Sequence, residues 1–155
     1  MERQASVHEK GSFSLTDLMD SVRKNEAFGK TGAIGLFIGV ARAENIEGQK
    51  VVKLTLEAYE EKANETLTKI CDELQKKQGI VDVQIHHLLG EFNAGEDLVY
   101  VSVAGSHRSE VFSVLREAVE RYKHEAPVFK KEQIIDETGS IRESWVSEKE
   151  NNKQA

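Results

Sequence analysis

The chain has 155 residues, 27 of them acidic and 21 basic, with a formal net charge of -6, 39% hydrophobic and 31% charged residues and a single Cys. That length suits one domain with a real core, and the apolar share is too high for a disordered chain. The acidic balance argues against general nucleic-acid binding, no run approaches the roughly 20 apolar residues of a membrane span, and one Cys cannot staple a secreted fold, so a cytoplasmic setting is expected.

Residues 1–13 are polar and aperiodic and are read as a flexible arm with no charged-apolar-small leader. The domain itself is set at 14–147, with 148–155 as a frayed tail. Leu15, Leu18, Met19 and Val22 recur at helical spacing, and Ser14 or Thr16 is placed to cap them. Gly29 and Gly32 precede a nearly all-apolar run over 33–40, short enough for a buried strand. Residues 51–59 alternate as a strand. The clearest amphipathic helix is 60–77, with Ala63, Leu67, Ile70, Cys71 and Leu74 on one stripe.

Strands follow over 80–89 and 97–104, joined by a turn with Asn93 and Gly95. A second strong helix over 109–124 carries Val111 or Phe112, Leu115, Ala118 or Val119, and Tyr122, and the lone Pro127 stops it. A strand over 128–135, a turn over 137–140 and a short strand over 144–146 close the domain. The order α-β-β-α-β-β-α-β-β predicts an α+β fold with a mixed, largely antiparallel sheet and about three helices.

Walker A, G-x-G-x-x-G, H-E-x-x-H, C-x-x-C and G-x-S-x-G motifs are all missing from the sequence. His86 and His87 are adjacent on a strand and point to opposite faces, so they cannot share a metal and are read as structural. What remains is a set of cations at element ends. Ser106-His107-Arg108-Ser109 sits where a strand runs into a helix, so amides, helix dipole and Arg108 can jointly meet an anion; a plain helix cap with surface charges is the alternative. Lys123 falls in a last helical turn and Lys130 in the next strand. Lys130 shares a face with Val128 and Glu132, while Lys131 points to the other face with Phe129. A lysine beside other cations is suited to proton transfer or nucleophilic attack, or else simply complements the helix end. Arg42, just past Phe37 and Gly39, is similarly open. His107 and Lys123 bracket one helix and lie about 24 Å apart at 1.5 Å per residue, so they cannot line one small pocket within one chain. If both act, a dimer must bring opposite ends together.

Five segments appear in order: G-A-I-G-L-F-I-G-V-A-R (32–42), L-T-L-E-A-Y (54–59), H-L-L-G-E-F (87–92), S-H-R-S-E-V-F (106–112) and K-H-E-A-P-V-F-K-K-E (123–132). Together they resemble the large, catalytic subunit family of molybdopterin synthase, over nearly the whole chain. The resemblance implies an α/β-hammerhead type fold and a homodimer with a composite active site. It further implies that each protomer binds a small ubiquitin-like sulfur-carrier subunit, giving a heterotetramer. Sulfur then passes from that partner's C-terminal thiocarboxylate to cyclic pyranopterin monophosphate, forming the dithiolene of molybdopterin with no cofactor and no metal. By the same resemblance Lys123 and Lys130 are the catalytic lysines, Arg42 and Phe37 line the substrate site, and His107 and Arg108 enter from across the dimer. Lys149 stands roughly where the family has a basic residue past Trp145-Val146; arginine is usual there, and lysine is a poorer bidentate phosphate partner. The polar start of the chain reads as a shortened or replaced version of the family's first strand. Two other functions stay open on the sequence: a docking module without chemistry, and a pterin-phosphate binding protein.

Overall fold

The computed structural model describes residues 4–146. Seven strands form one sheet, in the order β2-β5-β4-β3-β6-β7 with β1 joined to β4, and three α-helices pack on it. The strands are β1 (Ala5–Glu9), β2 (Ala33–Val40), β3 (Lys50–Ala58), β4 (Ile80–Phe92), β5 (Asp97–Gly105), β6 (Val128–Ile135) and β7 (Ile141–Val146). The helices are α1 (Leu15–Arg23), α2 (Glu60–Gln75) and α3 (Arg108–Glu125), with a short 3-10 turn at Phe28–Lys30. All ladders are antiparallel except β1 with β4, so the expected α+β class and mixed sheet hold.

The helices form where their apolar stripes meet the sheet. On α2 the buried residues are Ala63, Leu67, Ile70, Cys71 and Leu74, the stripe read from the sequence. On α3 they are Val111, Val114, Ala118 and Tyr122, leaving Phe112 exposed. Arg121 pairs with Glu73 of α2 at 2.7 Å and Lys77 with Glu117 of α3 at 2.6 Å, so the two helices are tied by charge as well as by packing. Ser14 caps α1 in a reciprocal box, accepting from the Asp17 N–H while Asp17 accepts from the Ser14 N–H.

Two expectations need correction. The arm expected over 1–13 holds a strand, β1, paired parallel with β4. Its anchors are polar and distant in sequence: Asn64 accepts from the Val7 N–H at 2.8 Å, Gln4 donates to Asp82, and His8 meets His86 at 2.8 Å. No local apolar period announces such a strand. The last strand is also longer than 144–146, beginning at Ile141, because the β6–β7 hairpin stays in register from Ile135 opposite Ile141 to Lys130 opposite Val146. The tail placed at 148–155 lies outside the described residues.

β4 decides where a site can form. Its first part pairs with β5 as far as His87 opposite Val99, and its last part pairs with β3 from Gly90 opposite Leu56. Between them Gly90 takes φ 128, a left-handed backbone that favours glycine. The sheet changes partners there, opening a recess between β2, β3, β6 and the end of α3. Among the described residues no helix is long and apolar enough to cross a membrane.

Candidate active site

A cavity of about 520 Å³ occupies that recess. Apolar side chains from the three strands around it, Leu54 and Leu56 of β3, Val99 of β5 and Phe37 of β2, form much of its wall. Against this apolar lining stand Arg42, Lys123 and Lys130, with Glu132, His87 and Tyr122. Four of the residues singled out in the sequence, Phe37, Arg42, Lys123 and Lys130, thus converge from two strands, one helix and the loop after β2, spread over almost 100 positions.

Each is delivered by simple local structure. Phe37 lies on β2 between Gly35 and Gly39; a Cβ at Gly35 would come within 2.9 Å of Val111 and one at Gly39 within 2.5 Å of Val99. Those glycines let β2 pack tightly on α3 and β5, so Phe37 is the large side chain of that face. Arg42 follows two residues after the strand ends and is exposed at the mouth. Lys123 occupies the last turn of α3, where a cation also offsets the negative end of the helix dipole. On β6, alternation sends Lys130 and Glu132 inward and Lys131 outward, where its ammonium lies 5.4 Å from the Trp145 ring centroid and 3.8 Å from Glu143.

Lys130 and Glu132 approach to 4.0 Å, their side chains only 22% and 11% exposed. This carboxylate and that of Glu44, which also lines the cavity, offset two of the three cationic charges. The result is a recess with apolar walls and a surplus of cations, suited to a small anionic ligand and to charge developing on an oxygen or sulfur. Among the described residues no group of three or more His, Cys, Asp or Glu is placed to hold a metal.

The other candidates stand elsewhere. His107 is the N-cap residue of α3 and Arg108 its first residue; both are exposed, and His107 is 4.0 Å from Glu110. They lie at the opposite end of the helix from Lys123, as the spacing requires. Lys149 lies outside the described residues. A larger open groove, about 800 Å³, runs between the start of β1 and α2, and its lining includes none of these candidates.

Among the cavity residues that sequence reasoning did not assign to a site are His87, Glu132 and Tyr122, with Glu44 and Asn45. His87 had been read as structural, and Glu132 and Tyr122 only as strand-face and helix-stripe members. His86, by contrast, is structural: it is 1% exposed, stacked on Phe13 at 4.1 Å and bonded to Gln84 at 2.9 Å. The signal for His87 was its place in the H-L-L-G-E-F segment, one residue along in a strand that buries both faces.

The family model described as MoaE protein matches residues 8–125. A molybdopterin synthase catalytic subunit from Aedes aegypti is 38% identical over 77% of this chain and 76% of its own length. A probable molybdopterin synthase from Haloferax volcanii is 32% identical over 88% of this chain, which spans only 51% of that protein. Among solved structures, molybdopterin synthase from Staphylococcus aureus superposes with a TM-score of 0.79 at 26% identity, covering 94% of this chain and 98% of that one. A Helicobacter pylori chain, described as part of a complex of subunits 1 and 2 of molybdopterin-converting factor, shares the fold at 20% identity with a TM-score of 0.69, covering 85% of this chain and 86% of that one.

Proposed function

The chain belongs to the MoaE protein family, and from that premise we propose that it is the catalytic subunit of a molybdopterin synthase. In this reading it takes sulfur from the C-terminal thiocarboxylate of a small ubiquitin-like partner and delivers it to cyclic pyranopterin monophosphate. The observation that supports it best is the joining of Phe37, Arg42, Lys123 and Lys130 around one recess.

The chemistry suits those residues. The thiocarboxylate sulfur brings its electron pair to a substrate carbon that bears oxygen, and a C–S bond forms as that carbon's C–O bond breaks and the oxygen leaves protonated. The acyl–sulfur bond is then cleaved, so that sulfur stays on the substrate as a thiolate and the partner's acyl group ends as a carboxylate. Water, or first the Lys123 amine, adds to the acyl carbon, and the negative charge on the tetrahedral oxygen is met by fixed cations rather than by solvent. Lys123 serves as general acid/base or transient acyl acceptor, and Lys130, steadied by Glu132, orients the thiocarboxylate. Arg42 meets anionic groups at the mouth. His107 and Arg108 of the other protomer hold the substrate phosphate, which makes the working unit a homodimer with composite sites and, with two small subunits, a heterotetramer. Lys149 is retained as a substrate contact. No resident cofactor is required by this scheme, and a cytoplasmic location goes with it.

Single-turnover conversion of cyclic pyranopterin monophosphate, with a thiocarboxylated small subunit, tests the assignment. Wild type forms dithiolene product, and Lys123→Ala loses about 100-fold or more with its fold and dimer intact. Tight partner binding without product from wild type would refute the enzyme reading and leave a docking module.

A further inference from the structure

We propose that His87 is a positioning residue for the chemistry of this cavity, holding the end of α3, and with it Lys123, against β4 through Tyr122; the inference rests on the functional reading above. His87 and Tyr122 are each 6% exposed and both line the cavity. Their ring centroids are 5.8 Å apart with the planes at 76°, an edge-to-face contact of aromatic type. Tyr122 immediately precedes Lys123, and its carbonyl also accepts the Ala126 N–H that closes the helix. The residue whose ring touches His87 is thus the one whose backbone sets where α3 ends.

His87 is itself fixed from two directions. Its Nδ1 lies 3.0 Å from the Leu88 carbonyl oxygen, which only accepts, so Nδ1 carries the hydrogen and the ring cannot turn freely. Its backbone is the last position of β4 in register with β5, three residues before the bend at Gly90. The imidazole therefore couples the helix end to the point where the sheet changes partners. The other face of this strand is organised separately, by His86, Gln84 and Asp82. A reacting amine depends on such support because displacement by about 1 Å is enough to cost on the order of 100-fold in rate.

The test compares His87→Ala, Tyr122→Leu, their double variant and His87→Phe, each in the complete dimer with a thiocarboxylated small subunit. His87→Ala and Tyr122→Leu are each expected to lower kcat about 10-fold or more with little change in KM. The double variant falls no further than either single one, because the pair acts as a unit. His87→Phe, which restores an aromatic ring, recovers the rate to within about 3-fold of wild type. A second readout needs no sulfur transfer: the rate at which acetic anhydride acylates Lys123, followed by mass spectrometry of the full chain. That rate changes in His87→Ala and returns in His87→Phe. Additive losses, or unchanged Lys123 acylation in a folded His87→Ala or Tyr122→Leu protein, overturn the proposal. If wild type forms no dithiolene while Lys123 acylation still follows this pattern, the functional reading fails and the positioning role stands.

Discussion

Two variants that are each impaired, Lys123→Ala and Arg108→Ala, are expected to repair one another when their subunits are exchanged. The reason is the length of α3. Arg108 opens this 18-residue helix and Lys123 lies in its last turn. Fifteen steps at 1.5 Å place their backbones about 22 Å apart, too far for both side chains of one protomer to reach a single small substrate. In the proposed dimer, a composite site would take Lys123 from one protomer and Arg108 from its partner. Random exchange makes about half of the dimers mixed, and each mixed dimer holds one intact site and one that lacks both residues. One quarter of all sites is then whole, so the mixture works at about 25% of the wild-type rate. Lys123→Ala alone stays below about 1%. Arg108→Ala alone falls about 10-fold or more, through loss of a charge-assisted phosphate contact. The assay is single-turnover dithiolene formation after exchange, with mixed dimers counted by mass-tagging one variant. If mixed dimers form and the rate stays at the average of the two parents, the shared-site geometry is wrong.

Acid is expected to destabilise the protein well before most carboxylates titrate. Burial lowers the His86 pKa to about 3, with neighbouring His8 adding in the same direction, and burial also lowers His8. The unfolded chain therefore binds protons that the folded one refuses: stability is complete above about pH 6.5 and falls between there and about pH 3. Urea midpoints measured from pH 7 to pH 4 should drop, and His86→Phe should flatten that slope. Gly32→Ala is expected to cost about 1–3 kcal/mol or more in urea unfolding, since the new Cβ would meet the Ser106 backbone carbonyl rather than a yielding side chain. Glu132→Gln leaves Lys130 without its carboxylate at 4.0 Å, and is expected to raise KM for the thiocarboxylated partner with a smaller change in thermal midpoint.

The parts of the fold legible in sequence are those whose burial follows a local period. The α2 stripe reads straight off 63, 67, 70, 71 and 74, and the alternation of β6 alone separates Lys130 from Lys131. β1 was not legible because its buried side includes Ser6 and its attachment runs through Asn64, Asp82 and His86, all at least 57 positions away. The candidate site divides in the same way. Its cations stood out as charges at element ends, and the gathering of Phe37, Arg42, Lys123 and Lys130 was implied only by resemblance. His87 was hidden by its neighbour: two adjacent histidines on a strand look alike, and only the packing of Phe13 on one side and Tyr122 on the other separates them.

The single unbroken run of α3 has a mechanical consequence in the proposed dimer. Its first turn would belong to one reaction chamber and its last turn to the other, so each copy of the helix acts as a strut between the two chambers. A stiff rod passes a displacement along its axis from one end to the other. A substrate phosphate drawing on Arg108 in one chamber would press, through some four to five turns of helix, on the lysine of the next. The two chambers would then keep time with one another, and the occupancy of one would be felt as a change of tempo in its twin.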